Sequence, residues 1–227
     1  MNYLIVVAHP DDEVLGAGAS IYKLAKAKND ISVCIMSADA KARAFRPEDN
    51  QLKEDTQKSL DIIGVSKRFD GDFPNIELNN VPHLKLVKFI ENAIIEARPD
   101  VIITHHPADT NNDHLQTSLA CQAAIRLFQR RNDIKPIEQF MFMEVLSATE
   151  WNVNRALNPF NPNTFIEVGE DGIDKKIEAL AQYRGVMRDY PHPRSAEALK
   201  GLAAYRGAQA NLNYAEGFEC VFRRVIV

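Results

Sequence analysis

Apolar and polar positions along this chain alternate between two rhythms. Short apolar runs of strand length are followed by longer stretches whose apolar residues recur at helical spacing, the pattern of successive βαβ units and therefore of a parallel sheet. The first run predicts a strand over Tyr3 to Ala8. A helix follows from about Glu13 to Lys28, with Val14, Leu15, Ile21, Leu24 and Ala25 on its apolar face. Asn29-Asp30 turns the chain into a second strand, Ile31 to Met36, and a helix from roughly Asn50 to Ile63 stops at Gly64. The connection between them, Ser37 to Asp49, is long and polar. It leaves the carboxyl end of its strand, where ligands bind in open α/β sheets, so Arg43 and Arg46 are candidates either to face a substrate or to be solvated loop charges.

The rhythm continues with a short strand at Lys67 to Phe69, a loop from Asp70 to Val81, and a helix from Pro82 to about Arg98. Pro99-Asp100 breaks that helix before a strand at Val101 to Thr104; a helix opening at His114 runs to about Arg130, and a strand covers about Gln139 to Val145. Beyond the loop Asn158-Pro159-Phe160-Asn161-Pro162-Asn163, the pattern predicts a strand at Thr164 to Val168, helices at Ile173 to Tyr183 and Ala196 to about Ala210, and a closing strand at Phe218 to Val227. The expected fold is α/β, a Rossmann-like, mostly parallel sheet with helices on both faces and an active site at the carboxyl ends of the strands. One domain over 1–227 is expected, its core spanning about 1–150 and a pocket-closing part about 151–227.

Composition narrows the picture without changing it. A chain of 227 residues fits one α/β domain. Net charge is -4, with 27 basic residues spread along the sequence, so no nucleic-acid surface is expected. Cys34, Cys121 and Cys220 are odd in number, lie in apolar segments and form no CxxC pair, which argues for buried thiols instead of a disulfide framework or a cysteine-zinc site. The N-terminus shows no basic region or cleavage signature, and no apolar run approaches the ~18 residues of a membrane span. A soluble, cytoplasmic protein is expected, with homo-oligomers left open.

The chemistry concentrates where strands end. Ala8-His9-Pro10-Asp11-Asp12-Glu13 places an imidazole and three carboxylates in one turn after the first strand, and Val101-Ile102-Ile103-Thr104 runs into His105-His106-Pro107-Ala108-Asp109-Thr110-Asn111-Asn112-Asp113-His114. These clusters converge only if the two strands are parallel neighbours. His9 and Asp12, three residues apart, can point to one side while Asp11 points elsewhere in the same cavity. With His114 they make two histidines and a carboxylate, the protein ligand count that leaves a coordination position for water in a catalytic zinc site. Iron, cobalt or manganese suit the same donors. Gly16-Ala17-Gly18 begins like a dinucleotide fingerprint but lies inside the first helix and lacks the third glycine. Trp151 and Tyr190 could stack on a sugar or simply pack.

His9-Pro10-Asp11-Asp12-Glu13 with Asp113-His114 resembles the PIG-L/LmbE-like family of metal-dependent N-deacetylases. His192-Pro193-Arg194-Ser195, Glu197-Ala198-Leu199, Arg206-Gly207 and Tyr214-Ala215-Glu216-Gly217-Phe218 extend the resemblance into the tail. It implies removal of an acetyl group from an N-acetylated amino sugar or its conjugate, a small-molecule partner, and Zn2+ as cofactor. His9, Asp12 and His114 carry over as metal ligands and Asp11 as the base that takes a proton from a metal-bound water. One position departs from the pattern. Asn111 stands where many members carry a histidine thought to stabilise the oxyanion; asparagine donates a neutral hydrogen bond but is no cation, and losing such a donor typically costs ~3 kcal/mol. His106 and His192 are candidates to supply the charge. Asp113 could orient His114 or cap its helix, and Arg194 could close the pocket or form a structural pair. The alternatives are an amidase acting on a non-sugar acylated amine and a catalytically weak sugar- or nucleotide-binding protein.

Overall fold

The computed structural model describes residues 1–38, 49–153 and 158–225. Arg43 and Arg46 lie outside them. Five strands run parallel: β1 (Asn2–Val7), β2 (Asp30–Ile35), β3 (Lys67–Asp70), β4 (Val101–His105) and β5 (Gln139–Met143). Two later strands, β6 (Thr164–Glu167) and β7 (Ala215–Arg223), complete a seven-stranded sheet in the order β3-β2-β1-β4-β5-β7-β6, with β7 antiparallel to both neighbours. The α/β fold with a mostly parallel sheet is therefore the one the pattern anticipates, and the tail extends the same sheet.

Among the described residues six α-helices connect the strands: α1 (Asp12–Lys26), α2 (Asp49–Ile63), α3 (His83–Ala97), α4 (Asn112–Ala124), α5 (Gly169–Leu180) and α6 (Ala196–Ala210). The stretches 4–7 of β1 and 101–103 of β4 are continuously apolar because both faces of these strands are covered. Ile5, Val7 and Ile103 pack with Val14, Leu15, Leu60 and Leu180 on the side of α1, α2 and α5; Leu4, Val6 and Ile102 pack with Leu86, Ile90 and Cys121 on the side of α3 and α4. Helix α1 seats closely on the sheet. A Cβ at Gly16 would lie 2.4 Å from Met143 Sδ, so those glycines serve helix packing and not a phosphate.

Element ends differ from the sequence pattern where side chains override it. Helix α4 stops at Ala124, and a 3-10 turn at Leu127–Gln129 carries Leu127 into the core, so its apolar spacing continues although the helix does not. Strand β7 starts three residues earlier than expected. Glu216 lies within the strand, buried against Lys176 Nζ at 2.6 Å. Of the thiols, Cys34 and Cys121 are buried and Cys220 is only half-buried.

The order 3-2-1-4-5 puts the topological switch point between β1 and β4. Val6 pairs with Thr104, so the next residues along both strands, His9 and His105 among them, emerge at one carboxyl edge. The crossover helices leave this edge on opposite faces and open a crevice there.

Candidate active site

The turn after β1 is tightly determined. Asp11 precedes α1 with φ 103, a left-handed conformation that a non-glycine residue adopts only at a cost. Its amide donates to Glu13 Oε2 at 3.0 Å, and the Glu13 carboxyl bonds the hydroxyl of Tyr183; both side chains are buried. Burial pushes Glu13 up to about 8, the Tyr183 hydroxyl pulling the other way and Asp11 adding to the rise. Asp12 is the first residue of α1, and its Oδ2 accepts the His9 amide at 2.9 Å.

Around Asp12 Oδ2 the donors converge. His9 Nδ1 lies 3.3 Å away and His114 Nε2 3.2 Å, and all three side chains are buried. Each histidine is aimed from behind by a carboxylate. His9 Nε2 donates to Asp113 Oδ2 at 3.1 Å, leaving Nδ1 for the cluster, while His114 Nδ1 stands 3.0 Å from Asp109 Oδ2, leaving Nε2. The second contact is poorly aligned for a hydrogen bond despite its length. Asp109 is itself held by Thr149 Oγ1 at 2.8 Å. Burial alone would push Asp12 up, yet His114 and His9 hold it well below the usual carboxylate range; His114, despite its own burial, is pushed up to about 10 by Asp12 and Asp109.

This donor set fits a divalent cation. Two imidazole nitrogens and a carboxylate oxygen, mutually within 4.8 Å and oriented by outer carboxylates, match the ligand chemistry of zinc and neighbouring metals. A second grouping, His105, Asp109 and His114, shares His114. There the two rings stack at 3.9 Å and 17°, so their lone pairs run side by side and do not converge. His105 accepts the Ala8 amide at Nε2, and burial, aided by the charge on His114, pulls it down to about 3. It acts as a neutral floor beneath His114.

A cavity of about 160 Å³ opens over the cluster, lined by His9, Asp11, Asp12, Asn75, Ile76, Asn111, His114 and Arg194. Asp11, Asn111 and Arg194 thus share one space with the three donors. Asn111 caps α4, its Oδ1 accepting the Asp113 amide at 2.9 Å, so the cap of that helix is Asn111 and not Asp113. Asp113 instead orients His9, not His114, and its carboxylate also takes the Ile76 and Leu78 amides at 2.6 and 3.0 Å, tying the loop after β3 to the site.

The two histidines expected to supply a cation are elsewhere. His106 is wedged edge-on between Phe142 and Phe160, 3.4 Å from Glu219, and burial holds it below its usual value in spite of that carboxylate. His192 is exposed; its Nδ1 accepts the Arg194 amide at 3.0 Å, shaping the turn before α6. Trp151 and Tyr190 are exposed and are absent from the cavity wall. Asp109, His105, Thr149 and Tyr183 went unread in the sequence. Asp109 alone offered a signal, a carboxylate close in sequence to a histidine already marked as a ligand.

A Rossmann-like sheet with a buried His-Asp-His set at its switch point defines an α/β protein of the class whose site could hold a metal ion. Within that class the chain belongs to the GlcNAc-PI de-N-acetylase family, PIG-L, whose model matches residues 4–125. It is similar to the diacetylchitobiose deacetylase of Thermococcus kodakarensis, 22% identical over 96% of this chain and 82% of that protein. Its fold matches the conserved protein TT1542 from Thermus thermophilus, with a TM-score of 0.80, 24% identity and coverage of 100% and 98% of the two chains. It also matches GalB, the 4-carboxy-2-hydroxymuconate hydratase of Pseudomonas putida KT2440, with a TM-score of 0.75, 22% identity and coverage of 100% and 99%. The fold alone therefore does not select the reaction. No helix among the described residues is long and apolar enough to cross a membrane.

Proposed function

We propose that this chain is a metal-dependent N-deacetylase that removes the acetyl group from an N-acetylated amino sugar or its conjugate. The carrying observation is one cavity in which Asp11 stands beside His9, Asp12 and His114. Family membership and the deacetylase among its relatives support the same reaction class.

His9 through Nδ1, Asp12 through Oδ2 and His114 through Nε2 would hold the ion, with Zn2+ as the first candidate and other divalent transition metals suiting the same donors. When bound, the ion supplies a Lewis acid that polarises the acetyl carbonyl and acidifies water towards neutrality. Asp11 accepts the proton of the attacking water. After attack at the carbonyl carbon, Asp11 returns that proton to the nitrogen as the C–N bond breaks, which an amide requires because an amine anion is a very poor leaving group.

The test is acetate release from a panel of N-acetylated sugars, free, nucleotide-linked and lipid-linked, and of simple N-acetylated amines, by metal-loaded wild type, Asp11→Asn and Asp11→Ala. The expected result is a loss of about 10²–10⁴-fold in both variants with metal content unchanged. Turnover of simple acylated amines but of no sugar would move the reading to an amidase, and no turnover at all would move it to a binding protein.

A further inference from the structure

We propose that Arg194 is the catalytic cation of this site, stabilising the oxyanion in place of the histidine that Asn111 displaces. This rests on the deacetylase reading and names a residue that reading leaves without a part. Among the described residues lining the cavity, Arg194 is the one guanidinium or ammonium group. Its Nη1 lies 3.5 Å from Asp11 Oδ2, so it borders the space in which the base and the acetyl carbonyl must meet.

Three features make it a built group and not a wandering surface charge. Its Nε donates to Ser147 Oγ at 2.9 Å, which fixes the guanidinium plane. Ser147 is itself held in a left-handed conformation, φ 72, with its amide and that of Ala148 both donated to the Glu150 carboxylate. On its own segment, Arg194 directly precedes Ser195, a buried residue whose hydroxyl caps α6 by accepting the Ala198 amide at 3.1 Å. The arginine is thus clamped between a helix start and a determined loop, with Nη1 directed inward.

The charge requirement points the same way. The tetrahedral adduct converts a neutral carbonyl oxygen into an anion, and preorganised donors aimed at that oxygen are where such sites gain most. Asn111 has spent its carbonyl on the Asp113 amide and offers only a neutral amide donor. His106 and His192 are engaged away from the cavity. A planar guanidinium, charged at any working pH, supplies what they do not, and a second Nη hydrogen remains available beside the Asp11 contact.

Arg194→Met, Arg194→Lys and the double variant Arg194→Met with Asn111→His test this in two ways. The first is steady-state deacetylation: Arg194→Met should lower kcat about 10²–10³-fold with KM within about 3-fold, and adding Asn111→His should recover at least about tenfold of it. The second needs no turnover: binding of a tetrahedral methylphosphonamidate analogue of N-acetylglucosamine by calorimetry. Metal-loaded wild type should bind it, and Arg194→Met should weaken that binding by the same factor as kcat/KM, while Arg194→Lys loses less. A rise in KM alone, or equal affinity of wild type and Arg194→Met for the analogue, overturns the proposal. If wild type binds the analogue tightly through Arg194 yet hydrolyses no amide in the panel, the deacetylase reading falls and the catalytic role of Arg194 with it, leaving an anion contact only.

Discussion

Glu13 gives the sharpest test of the physics beneath the site. Its side chain is fully buried, and its hydrogen bonds run to Asp11 N–H and the Tyr183 hydroxyl. The folded protein holds it as a neutral acid up to about 8, whereas an unfolded chain releases its proton near 4.5. Between those values the native state binds more protons than the unfolded state, so stability falls as pH rises through the window. At about 1.4 kcal/mol per pH unit, this single group costs roughly 5 kcal/mol by the upper end. Glu13→Gln removes the cost and keeps both contacts: the amide oxygen accepts from Asp11 N–H, and the Tyr183 hydroxyl, which donates to Glu13 Oε1 in the wild type, turns to accept from the new NH₂. Urea melts of wild type and Glu13→Gln at pH 5, 6, 7 and 8, with metal saturating in both, should therefore diverge steadily, the variant gaining several kcal/mol on wild type by pH 8. Titrating groups that do not touch Glu13 cancel in that difference, while Asp11, Asp12 and Tyr183 are coupled to it. Curves that stay parallel to within about 1 kcal/mol, less than one pH unit of this linkage, would refute the neutral-acid assignment.

Two further outcomes follow from contacts already described. Asp113→Asn replaces one of two oxygens that together receive His9 Nε2–H and the Ile76 and Leu78 amides, so one donor faces an NH₂ group; metal affinity measured by chelator competition should fall about 10–100-fold, and unchanged affinity would dismiss Asp113 as the orienting residue. Lys176→Met should cost about 3–5 kcal/mol in denaturant melts because it leaves the Glu216 carboxylate buried without its cation. Lys176→Met with Glu216→Leu should regain most of that loss, since Leu15 O, Ala19 N and Ser20 N can then bond within α1; a double variant as unstable as the single would contradict the account.

The sheet and most of its helices were legible because β1 and β4 carry short continuous apolar runs and β2 one interrupted only by Ser32, as strands covered on both faces do. Helix ends were less so. Leu127 keeps the helical period after the helix has ended at Ala124, and no periodicity distinguishes the two. Within the site, His9, Asp12 and His114 announce themselves by type and by position at strand ends, and β1 beside β4 brings them together. The groups that hold the neighbouring carboxylates Asp11 and Glu13 come from farther away. Tyr183 reaches Glu13 across 170 positions and Arg194 reaches Asp11 across 183, and a tyrosine or arginine in a tail carries no local mark of such a partner. His106 and His192 illustrate the converse: residue type suggested a cation, while packing between two phenylalanines in one case and a turn in the other used them up.

The insertion of β7 between β5 and β6 sets an order of assembly. Residues up to His114 supply β1, β2, β3 and β4 and every donor of the His-Asp-His cluster, so a chain emerging from the ribosome can hold those donors early. β6 has no strand to pair with until β7, the strand latest in sequence, has been synthesised, and Arg194 is positioned by α6, which lies between them. The last piece to dock therefore closes the sheet and secures the segment that carries the guanidinium. On the proposed function, the side chains that would hold an ion are made first, and the guanidinium proposed to face the reacting carbonyl is secured last.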